Sequence, residues 1–190
     1  LSANQALLAV TDQGKSLDSS LTGSSLARQI AFGVLRHYFE LASKVDCLVS
    51  KPLPEKNADI QLLIMSGIYS IDHLNRPVHA SVNACVEATS DLNKVWAKKL
   101  VNGVLRSYLR KKEQIIGQIR ADPESVTNHP QWLISRIEAA YPDQALAIFE
   151  ANNVQPPMTL RVNLKQQSRE EYLERLASID IDACIGKHAP

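Results

Sequence analysis

Hydrophobic residues recur with helical spacing through most of the first 120 residues of the chain. One apolar face combines residues three or four positions apart, namely Ile60, Leu63, Ile64, Gly67, Ile68 and Ile71. Another helix begins after Pro77, which suits a first helical turn because an N–H at that position would have no intrahelical partner. The pattern predicts five to seven helices before about residue 120.

The segment LARQIAFGVLRHYF at residues 26–39 is repeated as WAKKLVNGVLRSYL at residues 96–109. Six positions are identical in this gapless alignment. Each copy keeps a glycine beside its apolar stripe, although a helical glycine costs about 1 kcal/mol relative to alanine. We therefore expect Gly33 and Gly103 to permit close helix crossings. The repeat predicts one bundle of two similarly packed helical halves, and chance similarity between two amphipathic helices is the alternative.

The pattern changes after residue 120. Two short helices separated by prolines are expected in residues 123–153, and residues 158–162 alternate between apolar and polar as a strand does. Ser168 and Glu171 have the spacing of a capping box and predict a helix start. Residues 181–185 are a candidate second strand. Because a sheet usually needs three or more strands, this tail is expected to be the start of a domain that continues further.

Composition excludes several classes of protein. Hydrophobic residues make up 45% and charged residues 22%, an ordinary globular balance, and no apolar run approaches the roughly 20 residues that cross a bilayer. The three cysteines are far apart and form no CxxC pair, which favours a reducing compartment and no zinc site. The net charge is only +1, so any attraction to nucleic acid must come from local clusters of charge.

Motifs for cofactor binding and catalysis are missing from the sequence. Its seven glycines are never closer than nine residues, which excludes a glycine-rich turn for a nucleotide or S-adenosylmethionine in this chain. The histidines form no HExxH pair and flank no known nucleophile motif. We therefore predict no catalytic, cofactor-binding or metal-binding residue in the chain.

Seven basic residues and no acidic residue lie between positions 94 and 112. At about 100° per residue, four of them fall within an arc of roughly 120° opposite the apolar stripe. We call these four the basic ridge: Lys98, Lys99, Arg106 and Arg110. Arg28 and Arg36 occupy matching positions in the first copy of the repeat. The ridge is suited to a phosphate backbone. One alternative is that these residues form only a solvated helix face. Another is that Arg36 and Arg106 cap carbonyls or pair with carboxylates inside the fold.

Five ordered segments resemble a known family: GVLR, Pro-x-His-Ala-x-Val-Asn at residues 77–83, VNGVLR, HPQWL at 129–133 and ANNVQPPMTLRVN at 151–163. They resemble the N-terminal region of Sun/RsmB-type ribosomal RNA cytosine-C5 methyltransferases, which begins with a NusB-like RNA-binding domain. The resemblance implies a mainly α fold: a NusB-like bundle of two three-helix halves, then short helices and an incomplete β-α-β segment. The implied parts are the NusB-like domain at 1–122, a helical linker at 123–157 and the start of a ferredoxin-like α/β subdomain at 158–190.

The same resemblance implies a function. The chain would be the RNA-binding, substrate-recognition portion of a cytoplasmic enzyme that methylates cytosine C5 in 16S ribosomal RNA. Catalytic cysteines of that family stand in Pro-Cys and Thr-Cys contexts, whereas Cys47, Cys85 and Cys184 follow Asp, Ala and Ala. The resemblance therefore implies that the catalytic domain and its cofactor, S-adenosylmethionine, belong to a downstream domain.

Arg161 and Asn163 match the family's Pro-Pro…Arg-x-Asn segment, which implies a part in bridging RNA or positioning the next domain; a purely structural role for Arg161 is the alternative. The candidate RNA-binding residues are Arg28, Arg36, Lys94, Lys98, Lys99, Arg106, Arg110, Lys111, Lys112, Arg161 and Asn163. Two rival functions remain: a stand-alone transcription-antitermination module of the NusB type, and a helical protein–protein scaffold that does not contact RNA.

Overall fold

The structure, a computed structural model, describes residues 1–21 and 23–186, and its described regular structure is helical. The α-helices in these residues are α1 (Ser2–Thr11), α2 (Leu17–Ser20), α3 (Ser25–Arg36), α4 (Tyr38–Asp46), α5 (Ala58–His73), α6 (Val78–Asp91), α7 (Lys98–Ile119), α8 (Pro123–Thr127), α9 (Gln131–Ala140), α10 (Ala145–Asn153) and α11 (Arg169–Ala177). Short 3₁₀ turns at Glu55–Asn57 and Val95–Ala97 lead into α5 and α7. The mainly α fold is confirmed, and none of the described helices is long and apolar enough to cross a membrane.

Helix α5 is the centre of the bundle. An unbroken run from Leu62 to Ser70 is buried, so the helix has apolar partners on all sides. It packs against α1, α3 and α4, which precede it in the chain, and against α6 and α7, which follow it. Helices α6 and α7 also pack on each other. This arrangement buries one continuous core, from Ala3 of α1 to Ile115 of α7.

The two glycines of the repeat have different environments. A Cβ atom on Gly33 would lie 1.9 Å from Cζ of Tyr69, so the α3–α5 crossing requires glycine there. Gly103 is exposed, and a Cβ atom on it would meet nothing within 4 Å, so the prediction of a close crossing at Gly103 is wrong. Gly67 is the glycine that brings α5 close to α7, since its Cβ would lie 2.8 Å from Leu105 Cδ2.

Helix α8 is attached to α4 by polar side chains. Asn128, in the left-handed region with φ of 57°, ends α8 and accepts a hydrogen bond from the backbone N–H of Glu40 through Oδ1 at 3.0 Å. The hydroxyl of Ser125 is 2.6 Å from the hydroxyl of Ser43. Asn153 of α10 donates to the carbonyl oxygen of Thr127 at 2.7 Å, so α10 in turn is held to α8. Residues 123–153 therefore form three short helices instead of the predicted two.

The chain divides into two compact units, residues 1–153 and the residues from 154 onward. Within the second unit, the predicted capping box is confirmed, with the Ser168 hydroxyl accepting from the N–H of Glu171 at 3.1 Å. The two predicted strands, 158–162 and 181–185, are not formed in the described part of the chain, because extended segments need neighbouring strands to satisfy their backbone groups. Residues 187–190 of this predicted subdomain lie outside the described ranges, and the boundaries at 122 and 157 stay a prediction.

Candidate nucleic-acid interface

Helix α7 carries the basic ridge on the side opposite its packed face. The packed face is buried and consists of Val101, Val104, Leu105, Tyr108, Ile115 and Ile119. Lys99, Arg106 and Arg110 are exposed, while Lys98 lies at the edge of the ridge and is half-buried. Because α7 is 22 residues long and uninterrupted, it holds these cations along one straight surface.

The exposed arginines of the ridge contact only neutral groups of their own helix. Arg106 Nε donates to Asn102 Oδ1 at 3.0 Å, and Arg110 donates to the Ser107 hydroxyl at 3.0 Å. Within the described residues, the four ridge residues and the exposed Lys111 make no ion pair. Their charges are therefore not neutralised by the fold and are accessible to an anionic ligand.

Two other predicted RNA-binding residues are engaged inside the protein. Lys94 Nζ lies 2.6 Å from Asp59 Oδ1 and also donates to the carbonyl of Lys56 at 2.8 Å. Lys112 Nζ lies 2.7 Å from Asp72 Oδ1. Each of these lysines is balanced by a carboxylate, so the acid-free stretch of sequence overstates the charge that α7 presents to a ligand.

On the packed side of α7, opposite the ridge, lies a buried charged cluster that the sequence did not reveal. Lys44, only 2% exposed, contacts Glu40 at 2.6 Å and Asp72 at 2.9 Å. The Tyr108 hydroxyl donates to Asp72 Oδ2 at 2.5 Å. Burial alone would raise the pKa of Asp72, but the contacts with Lys112, Tyr108 and Lys44 outweigh it and lower that pKa. The cluster fixes α4, α5 and α7 to one another.

The first copy of the repeat contributes less charge. Arg28 on α3 is exposed, whereas Arg36 at the end of that helix is half-buried. Burial raises the pKa of Tyr69, and the positive charge of the Arg36 guanidinium opposes this rise. The helix ends at His37, whereas α7 continues well beyond the equivalent position, Ser107.

Arg161 and Asn163 lie in the second unit. Both are exposed. The Asn163 side-chain oxygen accepts from the N–H of Lys165 at 3.1 Å, which makes a local turn before α11. Within that unit, Arg161 makes no ion pair in the described residues and so remains a candidate contact.

Two of the cysteines, Cys47 and Cys85, lack the chemistry of a catalytic nucleophile. Burial raises the pKa of the Cys85 thiol to about 12, and burial with the neighbouring Asp46 also raises the pKa of Cys47, so neither is an activated nucleophile. The described residues hold no cluster of ligands for a metal ion. They also lack the glycine-rich strand–turn–helix that cradles S-adenosylmethionine, so they do not fit that cofactor.

Sequence reasoning missed two features of this surface. Trp96, just before α7, is 57% exposed, and Gly103 leaves the α7 backbone uncovered between the cations of the ridge. A tryptophan followed by two lysines at a helix start was the available signal for the first of them.

The fold and the site together define a helical bundle that presents a basic helix. Comparison with known proteins agrees with the helical fold. Residues 1–110 match the NusB family, to which the chain belongs. Residues 129–190 match the ferredoxin-like domain of RsmF/B-like methyltransferases.

Named relatives match most of this chain. The probable ribosomal RNA small subunit methyltransferase B of Coxiella burnetii is 41% identical over 167 residues, covering 88% of this chain and 39% of that protein. The ribosomal RNA small subunit methyltransferase B of Pseudomonas syringae pv. tomato is 37% identical, covering 97% of this chain and 44% of that protein. That of Pectobacterium carotovorum is 40% identical, covering 92% and 42% respectively. The chain thus spans less than half of the length of these relatives.

Proposed function

We propose that this chain is the RNA-binding, substrate-recognition portion of a cytoplasmic, S-adenosylmethionine-dependent methyltransferase that acts on cytosine C5 of 16S ribosomal RNA. The methyl donor and the catalytic cysteines belong to a downstream domain of the same protein. The names of the relatives support the substrate class. The observation that carries the RNA-binding role is the exposed, unneutralised ridge on a bundle of the NusB family.

The ridge binds RNA through its phosphates. Side chains cannot read the deep, narrow major groove of A-form RNA, so recognition of folded RNA depends mostly on backbone and shape. A straight row of unpaired cations on one helix matches this mode of contact. Lys94 and Lys112 contribute little to it, because their charges are balanced by Asp59 and Asp72. The contacting residues in the helical unit are the ridge together with Arg28, Arg36 and Lys111.

The alternatives are less well supported. A stand-alone antitermination module of the NusB type has no use for residues 129–190, which match a methyltransferase-associated ferredoxin-like domain. A protein–protein scaffold requires no accessible cations, and it predicts RNA binding that is weak and insensitive to salt. The proposed division into residues 1–122, 123–157 and 158–190 assigns RNA binding mainly to the first part.

Salt dependence of RNA affinity tests the proposal. Each neutralised phosphate contributes about −0.7 to −0.9 to the slope of log affinity against log salt, so the four ridge residues contribute about −3 to the slope, and Arg28, Arg36 and Lys111 add to it. A triple variant with Lys99, Arg106 and Arg110 changed to Glu should lose most of the affinity for a ribosomal RNA fragment and most of that slope.

The matched control changes Lys15, Lys51 and Lys165 to Glu. These residues are exposed and lie outside α7, and the control has the same net charge as the test variant. Circular dichroism should show that both variants remain helical. Equal loss of affinity in the two variants would mean that bulk charge is responsible, and unchanged binding of the test variant would exclude the ridge.

A further inference from the structure

An exposed tryptophan stands at the start of the basic ridge. Trp96 lies in the 3₁₀ turn before α7, and its side chain is 57% exposed. The protein's other tryptophan, Trp132, is also exposed, but the Arg136 guanidinium lies 5.9 Å from its ring centroid. In the described residues Trp96 has no aromatic or cationic partner of this kind. Its ring is therefore available to a ligand.

Gly103 is the second unexplained feature of this surface. It is exposed in the interior of α7, where glycine is unfavourable, and a Cβ atom there would meet nothing within 4 Å. Gly33, at the equivalent position of the repeat, is required by Tyr69, so packing explains one glycine and not the other. A glycine that the fold does not need leaves the helix backbone open to close approach from outside.

These two features belong to the same end of the ridge. Trp96 lies in the 3₁₀ turn just before α7, seven residues ahead of Gly103. Arg110 follows Gly103 by seven residues within α7, which is about two helical turns, or about 10 Å. Lys99 and Arg106 lie on one side of Gly103, within about 60° of it around the helix, one of them before it and the other after it along the axis. An aromatic ring, an open stretch of backbone and three cations are thereby presented together.

We propose that Trp96 and Gly103 form a binding site for an unpaired RNA nucleotide. The base stacks on the indole of Trp96, and the sugar–phosphate backbone passes over Gly103 between Lys99 and Arg106. Bases of a closed duplex present no free face to an aromatic side chain, whereas unpaired bases do. This inference rests on the proposed function and deepens it, because it specifies a single-stranded segment of the RNA as the ligand of this part of the ridge.

Tryptophan fluorescence tests the stacking directly. The chain has two tryptophans, so Trp132→Phe leaves Trp96 as the only tryptophan emitter, and Trp96→Phe leaves Trp132. The probes are a short single-stranded oligoribonucleotide and the same strand annealed to its complement. We expect the single strand to quench the emission of Trp96 and the duplex to leave it nearly unchanged. The emission of Trp132 should not respond to either probe.

Affinities provide a second readout. Trp96→Ala should weaken binding of the single strand by about tenfold or more and binding of the duplex only slightly, while Trp132→Ala is the matched control and should bind as the unaltered chain does. Gly103→Ala should raise the midpoint of thermal unfolding and yet weaken single-strand binding. A glycine kept for packing would show a lowered midpoint instead.

The outcomes separate this inference from the function on which it rests. If both probes bind with a steep salt dependence but Trp96 emission is unquenched and both variants bind normally, the stacking site is wrong and the ridge stands. A lowered unfolding midpoint for Gly103→Ala would also overturn the site. If neither probe binds in a salt-dependent way, the stacking site and the proposed function are both refuted.

Discussion

Replacement of Lys44 by Met tests the buried charged cluster. Lys44 is 2% exposed, and its ammonium group contacts Glu40 at 2.6 Å and Asp72 at 2.9 Å. Met keeps most of the apolar stem but leaves two carboxylates without this cation. Removing one partner of a buried ion pair costs about 3–5 kcal/mol, because the remaining charge stays buried. Asp72 keeps Tyr108 and Lys112, so we expect the lower end, about 3 kcal/mol at pH 7.

The size of the effect depends on pH in a defined direction. Burial alone would raise the pKa of Glu40, but hydrogen bonds with His37 and Lys44 lower it from 4.5 to about 2. A carboxyl group with a lowered pKa stabilises the folded state at pH values above its pKa in the unfolded chain. This stabilisation is lost as the pH falls through the pKa of the group in the folded state. For Glu40 the contribution is about 3 kcal/mol at neutral pH and roughly half of that at pH 3. Lys44→Met keeps the His37 contact and removes only the part due to Lys44, so its deficit should be smaller at pH 3 than at pH 7.

Urea unfolding followed by circular dichroism measures both quantities, with free energies obtained by linear extrapolation at each pH. Lys112→Met is the matched control, because the Lys112 side chain is 38% exposed and Asp72 keeps its contacts with Lys44 and Tyr108. We expect this variant to lose less than about 1 kcal/mol of the free energy of unfolding. A Lys44→Met deficit below about 1 kcal/mol, or one that is equal at pH 7 and pH 3, would refute the reasoning.

Two further predictions concern packing and capping. Gly33→Ala should destabilise the bundle by about 1–3 kcal/mol, since the new methyl group overlaps Tyr69, and thermal unfolding as stable as that of the unaltered chain would contradict this packing. Asn128→Ala should cost about 1–2 kcal/mol because α4 loses a cap and the left-handed backbone at that position disfavours Ala. Asn128→Gly should cost less, because glycine accepts that backbone, and the reverse order in urea unfolding would argue against a left-handed Asn128.

Much of the fold followed from local patterns. The 3.6-residue spacing of apolar residues correctly predicted helices around Ile64 and Val104, and Ser168 with Glu171 correctly marked the start of α11. The alternation at residues 158–162 wrongly predicted a strand in the described chain. A strand depends on partners elsewhere in the protein, whereas a helix satisfies its hydrogen bonds within itself.

The candidate interface was predictable only in part. The periodicity of α7 placed Lys99, Arg106 and Arg110 on one face, and the structure leaves all three exposed. The same stretch of sequence gave no sign that Lys94 and Lys112 are neutralised. Their partners, Asp59 and Asp72, precede them by 35 and 40 residues and belong to another helix.

The sequence by itself determined where the main helices of the bundle run and which cations share a face, because both depend on spacing within one segment. Only the tertiary structure decided which of those cations remain unpaired and which glycine of the repeat is packed. Gly33 meets Tyr69 and Gly103 meets nothing, although both stand in the same Gly-Val-Leu-Arg segment. The physical reason is that neutralisation and close packing are properties of contacts between helices, and identical local sequences acquire different neighbours once the bundle has formed.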